Sequence, residues 1–254
     1  MNSGTKAAEF SPQLYARIGG VLYLVIILAG IFGEAFIRNK LIFAGDASAT
    51  AHSIMASQLM WRIGIGADLL MHICDIPVML ILYLLLKPVN KNLALLNLLF
   101  NLVQTTVLVA NKLNLLMPLF LLRDADYLKA VDTQQLEALS YLFIKLHDYG
   151  FGVGLIFFGF VCLVEGYLIF KSGYLPRGIG VLMQIAGVCY LVNSFSLILA
   201  PEFARMLFPV ILLPSLVAEL SLCLWLIIKG VNVMKWEQQV ANRNFVYGVF
   251  PELP

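Results

Sequence analysis

Charge is the scarcest property of this chain: Asp, Glu, Lys and Arg make up 13% of its 254 residues, about half the share usual in a soluble domain. The net charge is only +2, and no basic patch is interleaved with exposed aromatics, which excludes nucleic acid as a partner. Cysteine is sparse too. Cys74, Cys162, Cys189 and Cys223 show no CxxC spacing and all fall in apolar segments, so free buried thiols are expected rather than disulfides or a zinc knot. The three histidines, His52, His72 and His147, end well before the C-terminus. A phosphate-binding Gly loop, GxSxG and HExxH are all missing, which leaves no sign of the chemistries those motifs carry.

What the chain has in excess is hydrocarbon: 61% of its residues are hydrophobic and its mean hydropathy is +0.88. A bilayer core of roughly 30 Å takes about 20 helical residues to cross. Six apolar segments reach that length: Leu14–Ile37, Trp61–Leu86, Leu93–Leu122, Leu139–Phe170, Gly178–Leu199 and Pro209–Ile228. The first reads as an uncleaved signal anchor, being too long for a signal-peptide core and without a small-residue cleavage site. The expected fold is therefore an all-α membrane protein of six transmembrane helices arranged as three helical hairpins. Residues 1–232 would form one transmembrane domain and 233–254 a cytoplasmic tail, able to serve a protein partner or a homo-oligomer.

Orientation follows from the basic residues at the span ends. One side carries Lys6, Arg17, Lys87, Lys91, Lys171, Arg177, Lys229, Lys235 and Arg243. The other carries Arg38, Lys40, Arg62, Arg123, Lys129 and Arg205, partly offset by acids. Both termini are expected in the cytoplasm, in a bacterial inner membrane, with membrane lipid as the surrounding partner. The two inner loops, Lys87–Lys91 and Lys171–Arg177, are short and each holds a proline that stops helix continuation. In the outer loops, Asp46 is suited to capping a helix, and Asp132-Thr-Gln-Gln135 has capping-box spacing. Short amphipathic helices are expected there, on the outer surface or leading into spans two and four. Similar wording at the ends of spans two and six, Leu82–Asn90 and Leu224–Asn232, fits either generic cytoplasmic helix ends or a parallel internal duplication.

Six motifs in order carry a resemblance: Ala16-Arg-Ile-Gly-Gly-Val-Leu-Tyr23, Gly45-Asp-Ala-Ser-Ala-Thr50, Leu86-Lys-Pro-Val-Asn90, Phe157-Phe-Gly159, Ser172-Gly-Tyr-Leu-Pro-Arg177 and Trp225-Leu-Ile-Ile-Lys-Gly-Val231. Over about residues 14–232 the chain resembles the DUF4386 family of bacterial integral membrane proteins of unknown function. The resemblance implies a polytopic membrane fold and carries no catalytic assignment. Where it leads one to expect an Arg after the Phe of span three, this chain has Phe100-Asn101-Leu102.

Against this apolar background, Arg62, Asp68, His72 and Asp75 stand out inside span two. A charge in hydrocarbon costs about 2.5–3.5 kcal/mol on insertion scales, so such residues normally face protein or a hydrated cavity. Asp68, His72 and Asp75 fall at i, i+4 and i+7, one face of a helix. Counting at roughly 1.5 Å per residue from Lys87 places them about 28, 22 and 18 Å from the cytoplasmic side, with Glu219 about 15 Å in from Lys229. Glu34, His147 and Asp148 fall in the outer half. Asn97, Asn101, Gln104 and Asn111 add a polar stripe on span three.

Three readings of this cluster compete. In a structural one, Arg62 and Lys145 neutralise Asp68 and Asp148, and the amides bond between helices. In a second, Asp68, His72, Asp75, His147 and Asp148 hold a divalent metal or transfer protons, as a metal-dependent intramembrane hydrolase would require. In the third, which the residues favour narrowly, an outward-facing polar pocket between spans one, two, four and six binds a small amphiphile, lipid or ion. Its expected lining is Glu34, Arg62, Asp68, His72, Asp75, Asn101, Gln104, His147, Asp148 and Glu219. Pro77, just beyond Asp75, and Pro209 and Pro214 near Glu219 are expected to bend their spans there.

Overall fold

The computed structural model describes residues 11–246, so Lys6 and residues 247–254 of the expected tail lie outside the described residues. Helix α1, Pro12–Ile31, starts where Ser11 Oγ accepts a hydrogen bond from the Leu14 N–H and Pro12 occupies a first-turn position, the place where a missing N–H costs nothing. It continues through a widened π-helical stretch, Phe32–Arg38, into α2, Asn39–Leu41. The Asp46 carboxylate caps α3, Ala47–Ala56, by accepting from the Ala49 N–H at 2.8 Å. Helix α4 spans Gln58–Leu86, and α5, Lys91–Leu121, is capped by Asn90 through the N–H groups of Asn92 and Leu93. Helix α6, Thr133–Ser172, starts at the Asp132 cap and runs unbroken for 40 residues. At 1.5 Å per residue that is about 60 Å, twice the thickness of a bilayer core. Helices α7, Arg177–Leu199, and α8, Pro201–Leu207, follow, then α9, Leu213–Ile228, and α10, Val233–Val246.

Six helical stretches are long and apolar enough to cross a membrane: Pro12–Leu41, Gln58–Leu86, Lys91–Leu121, Thr133–Ser172, Arg177–Leu199 and Val210–Ile228. Pro209 and Pro214 do not bend the last of these. Pro209 precedes the 3-10 turn Val210–Leu212 and Pro214 sits in the first turn of α9, so both mark where the helix begins. Pro77 does lie inside α4.

Consecutive long helices are neighbours in space, and α9 closes on α1, so α1, α4, α5, α6, α7 and α9 form a ring. The helices are inverted in polarity relative to those of a soluble bundle. On α4, Leu59, Leu70 and Ile73 are exposed whereas Asp68 and His72 are buried; on α5, Leu99 and Leu113 are exposed whereas Asn101, Gln104 and Lys112 are buried. Apolar outside and polar inside is the arrangement a hydrocarbon solvent selects.

The closest seam joins α6 to α7. A Cβ on Gly166 would come within 2.5 Å of the Gly180 carbonyl oxygen, and one on Gly180 within 2.6 Å of the Gly166 oxygen. One heptad further along α6, a Cβ on Gly159 would meet the Gly187 oxygen at 3.1 Å. Small residues let two backbones touch where lipid supplies no hydrophobic drive for association.

Two apolar cores lie at opposite ends of the ring. Ala16, Leu85, Leu168, Leu222 and their neighbours form one at the end where α1 begins and α9 finishes. This end, called here the terminal end, is tied by the Tyr174 hydroxyl and Trp236 Nε1, both donating to the Leu85 carbonyl at 2.6 and 3.1 Å. Gln13 completes it, donating to the Lys229 oxygen and accepting from the Val231 N–H. Trp236 thereby seats α10 against the bundle. The second core, Ile37, Ile54, Trp61, Leu115 and Ile144 among others, lies toward α3, at the loop end. Cys74, Cys162, Cys189 and Cys223 are free thiols.

Candidate functional site

Polar side chains fill the layer between the two cores and divide into two assemblies. Toward the loop end is an ion cluster centred on Asp68. One Asp68 oxygen takes Arg38 Nη1 at 2.7 Å and Lys112 Nζ at 2.9 Å, all three side chains being largely or wholly buried. Glu34 engages Arg38 Nε at 2.7 Å. Lys112 Nζ also lies 3.3 Å from His147 Nε2, close enough for the ammonium to donate to a neutral imidazole. The Asn111 amide donates to the His147 carbonyl at 2.9 Å. The π-helical stretch of α1 gives this cluster room: a Cβ on Gly33 would lie 2.6 Å from Asp68 Oδ1 and 3.2 Å from Arg38 Nη2.

The second assembly lines a cavity of about 280 Å³ in the middle of the ring. Most of its wall is apolar, from Ile26 and Ile27 of α1, Val78 and Leu82 of α4, Leu108 of α5, and Leu155 and Phe158 of α6. Into it come three carboxyl side chains, Asp75, Glu165 and Glu219, with Asn101, Gln104, Tyr23 and Tyr190. Glu219 accepts from the Tyr23 hydroxyl at 3.2 Å and from the Tyr190 hydroxyl. Asp75 accepts from Thr105 Oγ1 at 3.3 Å, and its Oδ2 lies 3.1 Å from His72 Nδ1. Glu165 is 3% exposed, faces the Asn97 amide, and leaves its Oε1 without a hydrogen-bond partner.

The expected site is thus split. Asp75, Asn101, Gln104 and Glu219 line the cavity. Asp68 belongs to the ion cluster, with Glu34 at its rim and His147 against Lys112. His72 lies between the two assemblies, bonded to Asp75, its Nε2 without a partner. Arg62 is exposed and outside the cavity wall; Arg38 and Lys112 neutralise Asp68 in its place, because they approach from neighbouring helices whereas Arg62 points away. Asp148 is also exposed and pairs with Lys145 at 3.3 Å on the same helix.

The five candidate metal ligands therefore do not converge. Asp68 is taken by two cations, Asp75 and His72 pair with each other, His147 faces Lys112, and Asp148 is outside. Among the described residues, no group of three or more His, Cys, Asp or Glu side chains is placed to hold a metal ion, so the donor set does not fit a divalent metal. Tyr23, Glu165 and Tyr190 are members of the cavity wall beyond the expected set. Glu165 had a signal, as the sole charged residue between Asp148 and Lys171. The tyrosines sit well inside spans one and five, where a hydroxyl that needs a hydrogen-bond partner is a weaker signal than a charge.

The ring and its buried polar layer define a polytopic membrane protein. Residues 18–230 match the domain of unknown function DUF4386, and the chain belongs to that family. It is also similar to an uncharacterized protein of Archaeoglobus fulgidus, 29% identical over 160 residues, which cover 62% of this chain and 78% of the relative. No solved structure matches significantly.

Proposed function

We propose that this protein binds a small amphiphile, lipid or ion in the central cavity of a membrane-embedded six-helix ring. The observation that carries the reading is the cavity itself: a small-molecule-sized space, mainly apolar, with a few convergent polar groups, which is the usual composition of a ligand site. Packing alone leaves few voids larger than a water molecule in a protein interior. The route of entry differs from an outward-facing mouth. The ion cluster and the second core stand between the cavity and the loop end. Ile31 and Leu216, by contrast, belong both to the cavity wall and to the exposed apolar surface. A membrane-dissolved ligand would therefore enter sideways, between α1 and α9.

The six stretches cross the membrane as three hairpins in this reading, with α3 on the outer side. The excess of Lys and Arg at the terminal end puts both termini in the cytoplasm, as in a bacterial inner membrane. Residues 1–232 form the membrane domain, and the segment from 233 onward offers a cytoplasmic surface for a partner or a second copy. A hydrolase would require the acids and imidazoles of α4 and α6 to share one centre, and no observation favours it.

The test is native mass spectrometry of the purified protein beside Leu155→Trp, which fills the cavity from α6. Co-purified mass on the wild type that is reduced on the variant supports the reading. Identical spectra with no adduct on either, after extraction in a mild detergent, sink it.

A further inference from the structure

Three carboxyl side chains in a cavity with a largely hydrocarbon wall demand a positive partner or a proton, because an isolated charge is too costly to leave there. The wall supplies no such partner: among the described residues no Lys or Arg lines the cavity. The two buried cations next to this layer, Arg38 and Lys112, are held by Asp68 and Glu34. Asp75 has His72 beside it and Thr105 donating to it. Glu219 has only tyrosine hydroxyls, donors that suit an anionic acceptor. Glu165, more than nine-tenths buried, has an oxygen that nothing satisfies. Buried polar atoms are rarely left so, and each exception asks for an explanation.

We infer that the ligand of this cavity is an organic ammonium, a small amine with an apolar body whose cationic head is received by Glu165 and Glu219. This rests on the reading that the cavity binds an amphiphile and narrows it to one charge. A bare metal ion fits poorly, since hard cations take six or more oxygen ligands and most of this wall is hydrocarbon. An ammonium needs only a few acceptors. Its N–H groups donate to the free Glu165 oxygen and to Glu219, the rings of Tyr23, Tyr190 and Phe158 supply faces for a cation, and Ile26, Val78 and Leu155 receive the apolar body. Anionic lipids and fatty acids are excluded by the same carboxyls, which would meet them with like charge.

Three probes of matched shape test this: cyclohexylammonium, cyclohexanol and cyclohexanecarboxylate, titrated at neutral pH into the full-length protein in lipid nanodiscs, with empty nanodiscs as the blank. Binding is read by calorimetry and by the shift in unfolding temperature. The expected result is that the ammonium binds at least about tenfold more tightly than the alcohol, a difference near 1.4 kcal/mol, and that the carboxylate does not bind. Glu165→Gln with Glu219→Gln should bring ammonium and alcohol within about twofold while the alcohol's own affinity persists. Equal binding of all three probes to the wild type overturns the charge assignment and leaves the amphiphile reading standing. Preference for the carboxylate overturns the charge assignment as well. No binding of any probe overturns both. Should the double variant fail to fold, the discrimination measured on the wild type decides alone.

Discussion

Lys112 Nζ lies 2.9 Å from an Asp68 oxygen that also receives Arg38 Nη1 at 2.7 Å, so one fully buried carboxylate holds two cations from two different helices. The arrangement links α1, α4 and α5 through three side chains that are largely or wholly buried. Removing one member of a buried ion pair is far more damaging than its net contribution implies, because the remaining charge stays behind without compensation. Asp68→Asn takes the carboxylate from Lys112 and leaves Arg38 with Glu34 alone. We expect it to destabilise the protein by about 3–5 kcal/mol, read as a fall in unfolding temperature in detergent. Combining it with Lys112→Met should recover part of the loss. A variant as stable as wild type would mean that the three side chains do not depend on one another.

The α6–α7 seam should be equally intolerant for a different reason. The atoms nearest a new Cβ on Gly166 include backbone, the Gly180 oxygen at 2.5 Å and the Gln184 nitrogen at 2.8 Å. Backbone cannot swing aside as a side-chain tip can, so Gly166→Leu must push the helices apart. Overpacking of this kind costs about 1–3 kcal/mol or more. Gly66 is the control, since a Cβ there meets nothing within 4 Å. Gly66→Ala should be neutral or stabilise α4 by up to about 1 kcal/mol, the helix-propensity difference. Folded yield by size-exclusion chromatography distinguishes the pair.

The spans themselves were legible because a long apolar run has few alternatives in water or lipid. Five of the six expected segments end within three residues of the observed helix at their C-terminal side, the exception being Leu14–Ile37, which extends to Leu41. Asp75 and Glu219, which counting along a helix of known rise places well inside their spans, both line the cavity. What the residues could not reveal was which cation meets which acid. Arg62 is near Asp68 in sequence and Arg38 is not, yet the pairing depends on how α1 and α4 rotate about their axes. The stripe Asp68, His72, Asp75 is a real helical face, but the neighbours along it change from the cations of α1 and α5 to the acids of α6 and α9. One face therefore serves two assemblies.

Because Arg62 and Asp148 lie outside both assemblies, Arg62→Gln and Asp148→Asn should be almost silent. Asp148 is exposed, pairs with Lys145 at 3.3 Å and comes only to 3.9 Å from His147 Nδ1, and exposed ion pairs on a helix contribute about 0.3–0.5 kcal/mol. Surface changes away from special features stay within about 0.5 kcal/mol. Each variant should also keep the wild-type affinity for any cavity ligand. A large drop in binding for either would place it in the site after all.

The Leu85 carbonyl offers the sharpest test of how α10 is joined to the bundle. It lies in the last turn of α4, where carbonyls lack intrahelical partners, and it is served by two donors from separate elements: the Tyr174 hydroxyl from the α6–α7 loop and Trp236 Nε1 from α10. Either donor alone satisfies one lone pair. Tyr174→Phe and Trp236→Phe should therefore each cost about 0.5–1.5 kcal/mol, the usual net worth of one hydrogen bond. Together they leave a buried acceptor with neither donor, a state that carries the larger penalty of an unsatisfied group. The double variant should then lose more than the two single losses combined, by about 0.5 kcal/mol or more. A thermal-unfolding cycle over the four proteins measures that excess. Strict additivity would show that the loop and α10 hold the end of α4 independently, and that α10 is merely adjacent to the membrane domain rather than part of its closure.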